Sequence, residues 1–179
     1  MGVKAVALLW GFAEATLFFI VPDVWLTLLA RERLRPALIA SLYSLAGALA
    51  GGSLMYLWGR GEPQAARAVL ELIPAIGPAM IERVRDELSG EGVLAVLLGP
   101  LSGTPYKIYA TQAAQAGIGA GTFLLISVPA RLGRFLLVTL LAHLVLRGVA
   151  RRWPGVNRVA VLLGGWALFY AGYFSLMPG

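Results

Sequence analysis

The sequence predicts an all-α integral membrane protein folded as a single domain. Three observations carry that reading. Hydrophobic residues make up 59% of the 179-residue chain and charged residues only 13%, against about 45–50% and 25% in soluble domains. Mean hydropathy is +0.77. The apolar runs are long and lack the two-residue alternation of barrel strands, so helices must satisfy the backbone in lipid. The 22 Gly and 10 Pro fit, since both are commoner in membrane helices than in soluble ones.

The same composition excludes several chemistries. There is no Cys, hence no disulfide, thiolate metal site or thiol nucleophile. His143 is the only histidine, which argues against a multi-histidine metal centre, and no metal is expected. The net charge of +6 is carried mostly by Arg. These residues flank apolar runs, so anionic lipid headgroups rather than nucleic acid are the expected partner. No GxxxxGK[ST] phosphate loop is present, and GPLSG at 99–103 is not a GxSxG nucleophile elbow. No cofactor is expected.

The elements follow in chain order within one membrane domain, 1–179. Residues 5–30 are apolar but interrupted by Glu14, Pro22 and Asp23. An acid inside the run and no A-x-A site argue against a cleaved signal peptide, so the segment is expected to remain. A basic collar, RERLR, follows at 31–35. Residues 36–59 carry no charge and match the ~20 residues that span a bilayer. Within them Gly47 and Gly51 form a GxxxG, a surface for close helix packing and a candidate oligomer face. Residues 60–91 hold four Arg and six acids among periodic apolar positions, reading as two short amphipathic helices on the membrane surface. Residues 92–120 begin as a membrane segment, break at GPLSGTP, and resume as a more polar helix with Lys107, Gln112 and Gln115. Residues 121–146 form a long apolar helix carrying Pro129, Arg131, Arg134 and His143, followed by a basic loop at 147–158. Residues 159–177 give a last uncharged helix.

The chain repeats itself weakly. Each half has a proline-broken apolar stretch followed by a longer helix, and Pro22 and Pro105 are 83 residues apart. Inverted repeats with broken helices are a transporter architecture. Stretches 5–30 and 92–120 therefore read either as opposed re-entrant hairpins or as ordinary Pro-kinked spans. Re-entrant hairpins put Lys4, Arg31, Arg33, Arg35, Arg147, Arg151, Arg152 and Arg158 on one face, eight basic residues against four in 60–91. Both arrangements place the N-terminus and the 147–158 loop together, expected to be cytoplasmic in a multi-pass inner-membrane protein.

Ionisable residues inside such runs cost ~2.5–3.5 kcal/mol each on insertion scales and mark function by default. Glu14 and Asp23 either pair with Arg131, Arg134 or Lys107 to hold the bundle, or serve as proton relay and substrate counter-charge. Ser102, Thr104, Tyr106 and Lys107 surround the second break, where a half-helix N-terminus and a lysine suit a phosphate. The alternative is a tight turn with Lys107 snorkelling to the interface. Arg131 and Arg134 share one helix face and either pair with the acids or contact headgroups. Arg60 reads as interfacial, and His143 as a packed or interfacial side chain.

The pieces FAEATLFFIVPDV at 12–24, GALAGGSLMYLWGRG at 47–61, GPLSGTPYKIYATQAAQAG at 99–117 and RLGRF at 131–135 resemble the DedA family, the SNARE-associated or VTT-domain superfamily. They span about three quarters of the chain in the family's order. The resemblance implies two opposed re-entrant hairpins plus about three transmembrane helices. It also implies a flippase or scramblase moving a phospholipid or undecaprenyl phosphate between leaflets. The family's essential acid falls on Glu14, its second acid on Asp23, and its aromatic-Gly-Arg turn on Tyr56, Gly59 and Arg60. Two arginines that many bacterial members carry in the second hairpin fall on Leu97 and Gly103, which leaves Lys107 to supply that charge. The alternatives are an integral-membrane lipid phosphatase, with Ser102 or Thr104 as nucleophile, and a non-catalytic assembly subunit.

Overall fold

The computed structural model describes residues 2–176; both ends of the 1–179 domain and the final position of the 159–177 helix lie outside them. Among the described residues all regular structure is helical. Helix α1 (Val3–Ala15) stops at Thr16, whose hydroxyl donates back to the carbonyls of Phe12 and Ala13 at 3.0 and 2.9 Å. Pro22 lacks an N–H and disfavours helix in the residue before it, so α2 (Asp23–Ala30) begins only beyond it.

The long helix α3 (Leu34–Gly61) follows directly. The polar interlude forms α4 (Pro63–Leu70) and α5 (Pro78–Glu91), each opened by a proline in its first turn. Helix α6 (Val93–Leu98) runs into a 3-10 turn at Gly99–Leu101. Gly103 then takes φ +94°, a left-handed value that glycine adopts without strain. Helix α7 (Tyr106–Gln112) starts after Pro105.

Helix α8 (Ala120–Arg152) is longer than the 121–146 run. Arg147, Arg151 and Arg152 prolong it instead of forming loop, because arginine is a good helix former and its charge suits a helix C-terminus. Helix α9 (Arg158–Leu176) ends the described chain. Among the described residues three helices, α3, α8 and α9, are long and apolar enough to cross a membrane.

Packing directions come from residue pairs whose numbers rise or fall together. Ser44 donates to the Ala7 carbonyl at 3.0 Å, Leu8 faces Gly47, and Ala15 faces Gly51. Hence α1 and α3 run in the same direction, and the chain between them doubles back. Arg134 meets Asp23 and His143 meets Ala30, so α2 runs with α8. Tyr56 stacks on Phe123 at 5.3 Å, while Ala40 and Phe135 share a cluster, so α3 and α8 are antiparallel. Tyr106 faces Gly52 and Thr111 faces Gly59, so α7 runs with α3.

Small residues make these contacts possible. A Cβ on Gly47 would lie 1.9 Å from the Leu8 carbonyl oxygen, and one on Gly59 1.9 Å from that of Thr111. The Gly47–Gly51 face considered for an oligomer is therefore covered within the chain by α1.

The main core joins the interlude (Leu70, Ile76, Val84, Leu88) to Tyr106, Ile108, Tyr109 and Phe123. The outer faces are apolar too. Leu125 and Leu168 are each 76% exposed, and α9 has no buried residue at all. A surface of this kind has its favourable solvent in lipid.

Candidate functional site

The two helix breaks meet. Lys107, on the first turn of α7, donates its ammonium to the carbonyl of Phe18, in the break between α1 and α2, at 2.7 Å. Lys107 is 2% exposed, and among the described residues it has no carboxylate partner within ion-pair distance. Glu14, in the last turn of α1, pairs with Arg131 of α8. Arg131 is fully buried, with its guanidinium 5.0 Å from the Tyr106 ring centroid and 4.8 Å from that of Phe135. Asp23, at the start of α2, accepts from Arg134 at 2.7 Å. Because Ala15 faces Gly51, the Glu14–Arg131 pair sits level with the middle of α3.

The reason for this clustering is electrostatic. A buried charge stays ionised only if it is paired and hydrogen-bonded. The first half supplies two acids and the second half three cations, so the sum is one positive charge in excess, nominally that of Lys107. Hydrogen bonding is also incomplete. Asp23 Oδ1 and Arg131 Nε and Nη1 are buried without a partner among the described residues. Each such orphan costs about 1–3 kcal/mol, a burden commonly found where a ligand or a rearrangement completes the set.

A cavity of ≈ 650 Å³ opens beside the cluster, within the size range of small-molecule sites. Glu14, Thr104, Lys107 and Arg134 face it. Its other walls are mainly apolar and extend along α8 and α9, from Ile73 and Ile76 of the interlude to Val145 and Leu146. Such a space has a charged centre and oily flanks.

The remaining candidate residues divide. Arg131 and Asp23 stand behind the cavity wall and hold Glu14 and Arg134. Tyr106 is buried, donates to Ser127 Oγ at 2.8 Å, and stacks against Phe123. Ser102 donates to the Gly99 carbonyl at 2.8 Å and lies 3.4 Å from Thr104 Oγ1; neither contact is to a base. Helix α7 has only seven residues, so Lys107 rather than a helix dipole is the anion-attracting feature. Arg60 is exposed at the far end of α3, away from the cluster. His143 bonds the Ala30 carbonyl through Nδ1 at 2.6 Å, tying α8 to α2.

Sequence reasoning missed the aromatic wall on α9. Trp166 donates to Thr27 Oγ1 at 3.0 Å, Tyr170 accepts from the Val21 N–H at 2.8 Å, and Tyr173 approaches the Gly103 carbonyl at 3.4 Å. With Phe169 and Phe174 these residues line the cavity. The signal was available: positions 166, 169, 170, 173 and 174 repeat at helical spacing and define one face. Trp10 likewise works inside the fold, donating to the Ile20 carbonyl across the first break at 2.9 Å. Compared with family models, curated proteins and solved structures, the chain matches none.

Proposed function

We propose that the protein is a DedA-like lipid translocase in the cell membrane. It moves a lipid with an anionic phosphate head, a phospholipid or a polyprenyl phosphate, between leaflets. The observation that carries the reading is Lys107. Among the described residues it is a buried cation without a carboxylate partner, at the contact of two helix breaks, facing a mainly apolar cavity beside Glu14 and Arg134.

Packing directions support two re-entrant hairpins. Helix α1 runs with α3, yet α3 begins anew after α2, so the first hairpin enters and leaves at one end of α3. Its tip stops level with Gly51, inside a helix spanning Leu34–Gly61. The second unit relates to α8 and α3 as the first relates to α3 and α8: α2 runs with α8, and α7 runs with α3. We read that exchange of partners as support for an inverted repeat of the transporter kind. The eight-cation end is taken as cytoplasmic by the positive-inside rule.

The proposed cycle uses these groups as follows. The acyl or prenyl chain stays on the apolar flank formed by α8 and α9. The phosphate replaces the Phe18 carbonyl at Lys107 and takes a second bond from Arg134. Glu14 lies within electrostatic reach of Lys107, Arg134 and Arg131, so a proton on Glu14 strengthens the hold on the anion and its release weakens it. That exchange couples proton movement to lipid movement.

The test is a vesicle translocation assay with labelled phospholipid and polyprenyl phosphate, with and without a pH gradient. Lys107→Ala should reduce movement at least about tenfold, the loss of one charge-assisted hydrogen bond to the phosphate; Glu14→Gln, which keeps the anion-holding state, should slow release and remove the response to the pH gradient. Unchanged rates in folded Lys107→Ala protein would refute the site. Phosphate release in place of movement would favour the phosphatase.

A further inference from the structure

The opposite kind of surface occupies one end of the molecule. Lys4, Arg33, Arg35, Arg147, Arg151, Arg152 and Arg158 are exposed there and Arg31 is half-buried, with Glu32 as the only acid. The other end, 60–91, carries four arginines against six acids. The fold brings the two basic segments together: Arg158 Nη1 approaches the Arg31 carbonyl at 3.5 Å. Glu32 is engaged by Arg31. Its carboxyl is held below the usual range chiefly by that hydrogen bond, with the charges of Arg158 and Arg33 adding. Among the described residues the other cations of this end have no carboxylate partner.

Between α8 and α9 the surface has a shallow hollow lined by Val149, Arg152, Trp153, Pro154, Val156 and Val161. Trp153 is 59% exposed, and the Arg152 guanidinium lies 5.8 Å from its ring centroid. Exposed tryptophan beside arginine is the side-chain pair that belongs at headgroup depth, where each cation attracts anionic lipid.

We propose that this end is a binding surface for the anionic lipids of its own leaflet. The phosphates contact Arg151, Arg152 and Arg158, and the glycerol region fills the Trp153 hollow. The site is distinct from the central cavity and does not depend on transport. Since α9 starts here and walls the cavity, headgroups at this surface also hold the base of that wall.

Spin-label resonance on protein reconstituted in phosphatidylcholine tests the proposal. The probes are spin-labelled phosphatidylglycerol and spin-labelled phosphatidylcholine. The expected result is at least about a threefold preference for phosphatidylglycerol at low salt, falling toward unity at 1 M salt. The variant Arg151→Gln/Arg152→Gln/Arg158→Gln should lose it. Arg83→Gln/Arg85→Gln, at the other end, should keep it, as should Lys107→Ala. Equal association of both lipids with the wild type overturns the proposal. So does a preference that Lys107→Ala removes, which would assign the lipid to the central cavity, and one that survives the triple substitution.

Discussion

Glu14→Gln offers the most informative perturbation of the buried ion pair, because three variants separate stability from function. Arg131 is fully buried and Glu14 is 4% exposed, so solvent screening is negligible. Neutralising Glu14 leaves an uncompensated guanidinium, an outcome that costs about 3–5 kcal/mol. Arg131→Met alone leaves the carboxylate bare and should cost a similar amount. The double variant, Glu14→Gln/Arg131→Met, removes both charges together with two donors that lack partners among the described residues, Arg131 Nε and Nη1. It should fall within about 1–2 kcal/mol of the wild type, since replacing a buried pair by apolar groups is often neutral or stabilising. At about 2–4 °C per kcal/mol for a chain of this size, each single variant should melt roughly 6–20 °C lower. The double variant should recover most of that. Thermal unfolding in detergent, followed by size-exclusion homogeneity, gives the three shifts, and the translocation assay is run on the same samples. A stable but inactive double variant makes the pair functional. Additive single effects, with no recovery, would refute the ion-pair geometry.

Other consequences are as direct. Gly47→Leu forces a side chain into the Leu8 carbonyl 1.9 Å from the Cβ position and should destabilise by about 3 kcal/mol or more; Gly61→Ala, with nothing within 4 Å, should be silent in the same melting assay. Tyr170→Phe removes the acceptor of the Val21 N–H and should lower stability by about 1 kcal/mol, with faster hydrogen exchange at Val21 as the local readout. In the interlude Arg67 bridges Glu71 and Glu82, and its hydrogen bond holds the Glu82 carboxyl below the usual 4.5. A depressed folded value means that the stabilisation is present above the unfolded value and lost as pH falls through the folded one. Exchange protection of α4 and α5 should therefore hold at neutral pH and drop below about pH 4, and Glu82→Gln should abolish that dependence.

Helix identity was legible because it rests on local quantities. Uncharged windows at 36–59 and 159–177 and the two proline breaks are properties of short stretches of chain. Partner choice is not local. Glu14 and Arg131 are 117 residues apart, and Asp23 and Arg134 are 111 apart. From sequence, each acid had three cations to choose from. What decides is the direction of travel: α2 runs with α8, so Asp23 reaches Arg134, while α1, running with α3, delivers Glu14 one turn away at Arg131. The Gly47–Gly51 face is a related case, since α1 of the same chain covers it. A small-residue stripe announces a close helix contact, but nothing in the stripe says whether the partner helix is in the same chain. Helix α8 runs on to Arg152 because arginines at a helix C-terminus complement the dipole, which composition alone does not distinguish from a basic loop.

Lys107 carries the sharpest consequence of the charge arrangement. Glu14 and Asp23 are each already engaged by an arginine, so among the described residues the ammonium rests on a backbone carbonyl alone. A dipole compensates a buried charge less well than a carboxylate does. Removing the charge should therefore relieve the fold: Lys107→Met, which keeps the length of the side chain, should melt at or above the wild-type temperature while translocation is lost. A residue kept for packing behaves oppositely, since its replacement lowers stability and activity together. Stability gained at the expense of activity is the mark of a group retained for binding. If Lys107→Met instead melts several degrees lower with transport intact, the ammonium is a structural pin between the two breaks and the phosphate site lies elsewhere. Comparing Lys107→Arg sharpens the reading. The planar guanidinium keeps the charge but is too bulky for the 2.7 Å approach to Phe18. It should retain part of the transport at a clear loss of thermal stability, the reverse of the Met variant.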